Sequence, residues 1–427
     1  MNIEEIYKIY QQFSSIETDT RKIKKDDIFF ALKGPNFNGN HFSKQALKSG
    51  AAYVVADEPL DFEDNRIIQV TDVLRTLQLL AQHHREQFNI PFIAITGSNG
   101  KTTTKELLHQ VLSTSFITYT TKGNLNNHIG IPLTILKIKP DAEIAIIEMG
   151  ANHLREIAGY CEYAKPTHGL ITNIGKAHLE GFGSEENVKK GKGELFEYLG
   201  LNNGTAFVNT DDKGVEEVSS HVNKVVFYGS KSEHAKGKIL KNDPFIEVQI
   251  DSENAIVIRT KLVGAYNLPN VLAAFWVGKY FNIDENKIKN AIENYVPSNS
   301  RSQLIEKNSN TIILDAYNAN PGSMKAAIEN FASIKGDKKI LMLGSMMELG
   351  HESEKEHANI ISLIDQHQWH AVVLVGNNFM QIKNRYINLE NAELSGDWLK
   401  NEGITNAQIL IKGSRSMQME KALEAFQ

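Results

Sequence analysis

Residues 92–106, with the sequence FIAITGSNGKTTTKE, constrain the fold of this chain more than any other stretch. A short apolar strand runs here into a glycine turn, and a helix that opens on Lys101 and three threonines follows. Gly97 and Gly100 allow backbone angles that are closed to other residues. Such a turn directs backbone N–H groups and a helix N-terminus towards an anion, and the lysine adds a point charge. The stretch therefore predicts a phosphate-binding loop and a chain that uses a nucleotide.

The spacing of these glycines differs from that of the general P-loop, G-x-x-x-x-G-K-[ST], because only Ser98 and Asn99 lie between them. A glycine turn with a solvated lysine is the alternative interpretation. We favour the phosphate loop because strand, turn, Gly-Lys-Thr and helix arrive in the required order. In that interpretation Lys101 contacts the terminal phosphates, and the hydroxyl of Thr102 or Thr103 reaches Mg²⁺.

Length and charge limit the class of protein. A chain of 427 residues exceeds one hydrophobic core and predicts about three domains. A net charge of -5 gives no general attraction for nucleic acid or for an anionic membrane. The single cysteine, Cys161, excludes an internal disulfide framework and fits a reducing compartment. No stretch approaches the roughly 18 apolar residues of a membrane span. We expect a soluble cytoplasmic protein, and a monomer, that inserts into no membrane.

The order of predicted strands and helices indicates an α/β fold of three domains. The first is a small α/β domain, which helix 73–87 links to the second. The second carries the phosphate loop on a mainly parallel sheet, and alternating runs at 245–250 and 255–263 predict an appended antiparallel hairpin. After Pro297 the pattern restarts and predicts a doubly wound, Rossmann-like domain. The predicted domains span residues 1–85, 86–297 and 298–427.

Several polar side chains stand where predicted strands end. Glu148 ends the apolar run EIAIIE, where a carboxylate can hold Mg²⁺, since that ion prefers oxygen ligands. The loop 123–132, GNLNNHIGIP, is dense in amides, which orient phosphates or carboxylates without adding charge. His178 follows another strand, although by spacing alone a structural histidine is the commoner interpretation. Lys192 lies among charged residues of a helix, which by itself predicts a solvated face.

Further candidates lie in the last third of the chain and near its N-terminus. Residues 412–415, Lys-Gly-Ser-Arg, form a basic turn that we place at a helix N-terminus suited to an anion, with a charged surface loop as the equal alternative. The turns at 19–21 and 34–41 are polar loops that indicate little alone. Four more candidates follow. Asn267 and Asn270 stand at the start of a predicted helix, Arg301 lies just after the last predicted domain boundary, and Asp315 ends a predicted strand.

Taken together, these segments resemble the Mur ligase family, the ATP-dependent amide-forming enzymes of peptidoglycan precursor synthesis. The matching segments are TGSNGKTT, GNLNNHIGIP, EMGAN, TNIGKAHLEGFGS and KGELF, in the family's order. The short glycine spacing is the family's own form of the phosphate loop. Within the family, DAYNANPGSM, LGSMMELG and KGSRSM resemble the member that adds D-alanyl-D-alanine, and DTR and GPNFNGNHF resemble its uridine-nucleotide-binding domain.

The resemblance implies a reaction and its substrates. ATP phosphorylates the terminal carboxylate of UDP-N-acetylmuramoyl-tripeptide, the amine of D-alanyl-D-alanine attacks the acyl phosphate, and ADP and phosphate are released. Two anions meet in the first step, so catalysis consists mainly of positioning and of charge neutralisation by Mg²⁺ and lysine. Whether the third residue of the tripeptide is lysine or diaminopimelate stays open.

The resemblance also implies a role for individual residues, with Lys101, His178 and Lys192 as the catalytic group. Thr102 and Glu148 serve one Mg²⁺, and His178 with Lys192 serves a second. Because a protonated lysine cannot coordinate a cation, we expect Lys192 to be carbamylated by CO₂. The implied nucleotide-binding residues are Gly97, Ser98, Asn99, Gly100, Lys101, Thr102, Thr103, Asn267, Asn270, Arg301 and Asp315. The implied substrate-binding residues are Asp19, Thr20, Arg21, Asn126, Asn127, Tyr317, Asn318, Asn320, Lys412, Ser414 and Arg415.

Three residues depart from the family pattern, and two other functions remain as alternatives. Tyr266 stands where histidine is usual, Ser300 where glycine is common, and Ser345 where aspartate is frequent. A sibling ligase, either another Mur ligase or a folylpolyglutamate synthase, is the nearer alternative, and the KGSR and YNANP segments argue against it. A P-loop switch or motor is the other, and the chain lacks the Asn-Lys-x-Asp motif with which GTPases read their base.

Overall fold

The computed structural model of this chain describes residues 1–233, 235–252, 255–298 and 300–426. Three α/β domains follow one another, and a mainly parallel sheet lies in each. Among the described helices, none combines the length and the apolar composition that crossing a membrane requires. The predicted domain boundaries stay predictions, but each predicted domain contains one of these sheets.

The N-terminal domain is built on a small parallel sheet. Its helices are α1 (Ile3–Phe13), α2 (Ser43–Lys48) and α3 (Val73–Arg85), and its strands are β1 (Ile16–Glu17), β2 (Ile28–Phe30), β3 (Lys33–Gly34), β4 (Phe37–Asn38), β5 (Tyr53–Ala56) and β6 (Ile67–Gln69). The sheet has the order β1-β2-β5-β6, and β3 pairs with β4 as a separate hairpin. Helix α1 begins where it does because the side chain of Asn2 accepts the N–H of Glu5, whose carboxylate accepts the N–H of Asn2 in return.

The central domain has six parallel strands with helices on both faces. Its strands are β7 (Phe92–Thr96), β8 (Thr118–Thr120), β9 (Ile144–Glu148), β10 (His168–Ile171), β11 (Thr205–Asn209) and β12 (Lys224–Tyr228). Its helices are α4 (Lys101–Leu112), α5 (Gly130–Ile135), α6 (Glu156–Ala164), α7 (Leu179–Phe182), α8 (Glu185–Leu201) and α9 (Lys213–Val218). The order β12-β11-β10-β7-β9-β8 places β7 inside the sheet, which explains why all of its residues are buried.

The appended sheet contains the predicted antiparallel hairpin and adds a third strand that the sequence did not predict. The strands are β13 (Lys236–Asn242), β14 (Phe245–Asp251) and β15 (Ile256–Val263), and the helices α10 (Leu268–Tyr280) and α11 (Glu285–Asn294) follow them. The sequence of β13, KGKILKN, carries lysines and little apolar alternation because β13 is an edge strand. Charged residues on such an edge hinder pairing with other chains, and they also hide the strand from a pattern search.

The C-terminal domain has a mixed six-stranded sheet. Its strands are β16 (Gln303–Lys307), β17 (Asn310–Asp315), β18 (Lys339–Gly344), β19 (Ala371–Val375), β20 (Ile387–Leu389) and β21 (Gln408–Lys412). Its helices are α12 (Pro321–Ser333), α13 (Ser353–Ile364), α14 (Asn377–Met380), α15 (Ala392–Asn401) and α16 (Lys421–Ala425). Only β16 runs antiparallel, in the order β16-β17-β21-β18-β19-β20. The sequence did not predict β16, because its turn to β17 uses Asn308 and Ser309 at φ 51° and 60° without a glycine.

A buried arginine joins α3 to the central domain. The guanidinium of Arg85 lies 3.7 Å from the centre of the Phe92 ring. It donates hydrogen bonds to the main-chain carbonyls of Ala164 (3.1 Å), Phe88 (2.8 Å) and Lys165 (3.0 Å). The first and last of these carbonyls end α6, where the helix dipole favours a cation. Burial lowers the pKa of Arg85 to about 10, which leaves it charged at neutral pH.

We expect Arg85→Met to lower the free energy of unfolding by about 2–4 kcal/mol, because it leaves buried carbonyls without donors. Arg66→Met is the matched control, since within the described part of the chain the Arg66 guanidinium pairs with Asp64 alone, at the surface. We expect that control to change stability by about 0.5 kcal/mol or less. Urea denaturation followed by circular dichroism measures both. Equal losses in the two variants would contradict the joint that we describe.

Candidate active site

A polar cleft of about 720 Å³ opens between the central and C-terminal domains. It lies at the carboxyl ends of β7, β9 and β17, where open parallel sheets bind their ligands. Both domains contribute to its wall, so the site is complete only when they are together. The predicted site residues that line it are Ser98, Asn99, Gly100, Lys101, Thr102, Thr103, Asn126, Asn127, Glu148, His178, Asn267, Asn270, Arg301, Asp315, Tyr317, Asn318, Asn320 and Lys412.

The remaining predicted site residues lie outside the cleft wall. They are Gly97, Lys192, Asp19, Thr20, Arg21, Ser414 and Arg415. Asp19 and Arg21 pair with each other in the N-terminal domain, where the Arg21 side chain is 85% exposed. The guanidinium of Arg415 donates to Glu420 at 2.6 Å. The predicted helix N-terminus at this turn is wrong, because a single 3₁₀ turn, Arg415–Met417, precedes the five-residue α16.

The phosphate loop has the backbone shape that the sequence predicts. Gly97 and Gly100 have φ values of 140° and 79°. A Cβ atom would lie 2.0 Å from Thr172 Oγ1 at the first position and 2.7 Å from Asn270 Oδ1 at the second. Lys101 follows at the first residue of α4, and its Nζ donates to the carbonyl of Gly97 at 2.7 Å. Burial lowers the pKa of Lys101, so an anion in the loop would stabilise its charged form.

Glu148 carries the clearest sign of a cation site. One carboxylate oxygen accepts from Thr102 Oγ1 at 3.1 Å and from Asn126 Nδ2 at 2.8 Å. The other oxygen, Oε2, is buried and has no hydrogen-bond partner among the described residues. A buried carboxylate oxygen without a partner is costly, and a hard divalent cation is the ligand that it suits. Among the described residues, no three or more His, Cys, Asp or Glu side chains lie close enough together to hold a metal ion. Hydroxyls, water or phosphate would therefore supply the other ligands of a cation at Glu148.

Lys192 is fully buried, so the solvated face that its charged neighbours predict is wrong. Its Nζ donates to the carbonyl of Ala151 at 3.0 Å and lies 5.2 Å from the centre of the Phe182 ring. Burial, and then the charge of Lys101, hold the pKa of Lys192 well below its usual range. The neighbouring Glu194 instead accepts the N–H groups of two residues at the start of α6. Burial therefore shifts the protonation equilibrium of Lys192 towards the neutral amine.

The C-terminal side of the cleft is held by its own polar contacts. Asp315 accepts from Lys412 Nζ at 2.6 Å, and Lys412 is 1% exposed. Lys412 thus positions Asp315 in this structure. The guanidinium of Arg301 lies 3.7 Å from the centre of the Tyr317 ring. Asn320, which caps α12, donates to Asn99 Oδ1 at 2.8 Å and so ties the C-terminal domain to the phosphate loop.

Sequence reasoning missed Glu348, and it noted Asn173 as a strand-end amide without including it among the assigned site residues. Both residues line the cleft. Glu348 Oε2 lies 2.6 Å from His178 Nδ1, and this contact lowers the pKa of Glu348. The signal for Glu348 was its place in the glycine-rich segment LGSMMELG directly after a strand. Asn173 Oδ1 accepts the N–H of Asn99 at 3.0 Å, which fixes the phosphate loop from the side.

We expect Gly100→Ala to weaken the binding of ADP by about tenfold or more, because the new methyl group would displace Asn270 and strain the loop. Gly183→Ala is the matched control. Its φ of 77° is close to the 79° of Gly100, and a Cβ there meets nothing within 4 Å. Fluorescence titration with a labelled ADP analogue compares the variants. Equal affinities in Gly100→Ala and Gly183→Ala would contradict the steric argument.

Comparison with known proteins shows the same similarity over the whole chain. Family profiles match residues 12–85 (Mur ligase family, catalytic domain), 95–278 (Mur ligase middle domain) and 300–415 (Mur ligase, glutamate ligase domain). UDP-N-acetylmuramoyl-tripeptide–D-alanyl-D-alanine ligase of Bacillus subtilis (strain 168) is 33% identical over 423 residues, 96% of this chain and 92% of that relative. A crystal structure of MurF from Acinetobacter baumannii has a TM-score of 0.88 at 28% identity, covering 96% and 93%. The MurF ligase of Thermotoga maritima in complex with ADP has a TM-score of 0.86 at 26% identity, covering 96% of each chain.

Proposed function

Because this chain belongs to the Mur ligase family, we propose that it joins D-alanyl-D-alanine to UDP-N-acetylmuramoyl-tripeptide in an ATP-dependent ligation of peptidoglycan precursor synthesis. The observation that carries the proposal is the composition of one cleft. The phosphate loop lies there beside residues 317–320, the segment that the sequence associates with the dipeptide-adding member. The ADP named in the Thermotoga maritima structure supports the choice of nucleotide.

The phosphates of ATP lie in the loop that begins at Gly97, with the charge of Lys101 on the terminal phosphates. Thr102 and Glu148 hold Mg²⁺, which neutralises phosphate charge when it is bound. The partnerless Oε2 of Glu148 supports this assignment. Asn270 supports the adenosine side, because its Oδ1 accepts from Thr104 and packs against the loop at Gly100. The other residues assigned to this side are Asn267, Arg301 and Asp315.

The acceptor carboxylate and the amine must meet the γ-phosphate inside the cleft. Asn126 and Asn127 orient the carboxylate of the tripeptide, since amides approach an anion without a net charge of their own. The uridine nucleotide binds the N-terminal domain through the turn at 19–21. On the C-terminal side, Tyr317 and Asn318 contact the dipeptide together with Asn320 and Ser414.

Arg415 binds the free carboxylate of the dipeptide in this proposal. Its guanidinium lies 6.0 Å from the centre of the Tyr317 ring, so it is close to the cleft although it does not line it. Glu420 now holds this guanidinium, and a substrate carboxylate would replace that partner. Lys412 keeps its contact with Asp315 and acts on the dipeptide only through that position.

The test of the function is mass spectrometry of the product formed from ATP, D-alanyl-D-alanine and a UDP-linked tripeptide that ends in lysine or in diaminopimelate. We expect ligation with one tripeptide or both, and no phosphate release without an acceptor. Lys101→Ala should slow product formation by more than about tenfold, or about 1.4 kcal/mol, because the charge on the migrating phosphoryl group is lost. Lys190→Ala, on the exposed face of α8, is the control. Phosphate release from ATP in the absence of both the UDP-linked tripeptide and D-alanyl-D-alanine would favour a P-loop switch.

The second cation is held by His178 and by a carbamate on Lys192. The neutral amine that burial favours at Lys192 is the form that reacts with CO₂, forming an N–C bond and releasing a proton. The product carries a negative oxygen donor in place of a positive charge, and Mg²⁺ prefers such donors.

We expect Lys192→Ala to lose most activity and to regain part of it in acetate, because a short carboxylate can fill the space that the carbamate leaves. Lys192→Arg should stay inactive, since a guanidinium forms no carbamate. Chloride at equal ionic strength controls for salt. Steady-state phosphate release is the measurement, and full activity of either variant would show that no carbamate is needed.

A further inference from the structure

The C-terminal domain contacts one short segment of the central domain at every second residue of that segment. The held segment, residues 176–180, covers the end of the loop after β10 and the start of α7. The segment that holds it, residues 348–356, runs from the loop after β18 into the first turn of α13, and we call it the clasp. Lys176 Nζ lies 2.8 Å from Glu356 Oε1, and the Glu356 side chain is only 5% exposed. A buried carboxylate that loses its partner is strongly destabilised, so this pair favours the closed arrangement.

The other contacts of the clasp converge on His178. Glu348 Oε2 lies 2.6 Å from His178 Nδ1, which is an ion-pair distance, although this buried ring nitrogen has no hydrogen-bond partner among the described residues. The N–H of Glu180 donates to the carbonyl of Glu348 at 3.1 Å. The main chains of the two domains are therefore docked directly beside the ring. His178 receives a partner from the C-terminal domain.

Backbone strain marks the same contact. His178 and Glu348 have φ values of 53° and 61°, in the left-handed region that residues with side chains seldom adopt. Glycine would relieve this strain at either position, yet both positions carry the side chains that meet. Gly350, at φ 53°, brings the clasp backbone close to Glu180. Strain of this kind persists where the surroundings over-determine a conformation, and it concentrates at functional sites.

We propose that the clasp positions His178 only when the two domains are closed. Docking of the C-terminal domain brings Glu348 against His178 and thereby fixes the ring in the cleft. The pair of Lys176 and Glu356, which we call the latch, stabilises the closed arrangement. The inference rests on the proposed function, because His178 is the residue assigned there to the second cation. It makes Glu348 a positioning residue and makes the His178 side of the site depend on domain closure. An open enzyme that holds ATP therefore lacks an oriented His178.

The latch is tested by the fluorescence transfer between dyes on cysteines at two exposed positions, Leu201 in the central domain and Leu394 in the C-terminal domain. A non-hydrolysable ATP analogue with Mg²⁺ is titrated in the presence of UDP-linked tripeptide. We expect Lys176→Met to raise the analogue concentration at half closure by about tenfold. Lys189→Met is the matched control, because Lys189 pairs with Glu186 and Glu217 inside the central domain.

Three results of this titration would overturn the latch. The first is half closure of Lys176→Met at the wild-type concentration, and the second is an equal shift in Lys189→Met. The third is a wild-type distance that stays constant throughout. Glu356→Gln should shift closure in the same direction as Lys176→Met, since it removes the opposite charge while keeping the shape. Wild-type product formation is measured first, because its absence refutes the proposed function, whereas product with unaltered closure refutes only the clasp.

The positioning role is tested by Mn²⁺ binding to the nucleotide-bound protein, followed by electron paramagnetic resonance. We expect Glu348→Ala to weaken Mn²⁺ binding by about tenfold, as loss of a partner that orients a metal ligand does, and Glu348→Gln to recover part of it. In turnover assays kcat should fall while the KM for the dipeptide is unchanged. Wild-type Mn²⁺ affinity in Glu348→Ala, or a lower melting temperature with unchanged affinity, would assign Glu348 a structural role only and overturn the proposal.

Discussion

The shape of the phosphate loop depends on hydrogen bonds from the loop that follows β10. Thr172 Oγ1 donates to the carbonyl of Asn99 at 2.6 Å, and Ser98 Oγ donates to the carbonyl of Gly175 at 2.9 Å. The first of these bonds is possible because Gly97 has no Cβ, which lets Thr172 approach the turn. A loop that is held in its shape before a ligand arrives needs little rearrangement on binding. The proposed anion site would therefore be preorganised by a neighbouring strand end.

The loop after β10 contacts the phosphate loop of its own domain and also the C-terminal domain. Its first residues support the phosphate loop, and its last residues meet the clasp through Lys176 and His178. The hydrogen bond from Asn320 to Asn99 forms a second connection between the same two domains. The phosphate loop and the C-terminal domain are thus connected through short, packed polar contacts, the kind of connection through which one site can affect another.

Local sequence chemistry was sufficient for the features that depend on adjacent residues. The strand, turn and helix around Gly97 and Gly100 have the predicted conformation, and the parallel central sheet follows from alternating strands and helices. Features that depend on distant residues were not predictable. The charged neighbours of Lys192 indicated solvent, yet packing of α8 against α6 and α7 buries its amine. Similarly, Lys412 looks like a free cation in sequence, and only the pairing of β17 with β21 brings it to Asp315.

The structure shows what the three residues that depart from the family pattern contact and which backbone conformation they adopt. Tyr266 reaches Ser302 Oγ at 2.9 Å, so its hydroxyl bridges the linker between two domains. Ser300 has a φ of 55°, which explains why glycine suits this position and costs serine on the order of 1 kcal/mol. Ser345 is buried and bonds the carbonyl of Val375 at 3.2 Å, which is a structural role.

The joint that Arg85 forms between the first two domains has a further consequence for how the protein can evolve. All three of its acceptors are main-chain carbonyls, so the side chains at 88, 164 and 165 are free to drift as long as α6 ends at the same place. Comparison of many relatives would then find no co-varying partner for the arginine among these acceptors, and a method that infers contacts from correlated substitutions would overlook its hydrogen bonds. The connection is specified by the geometry of the polypeptide backbone, and it can outlast extensive change in the residues around it.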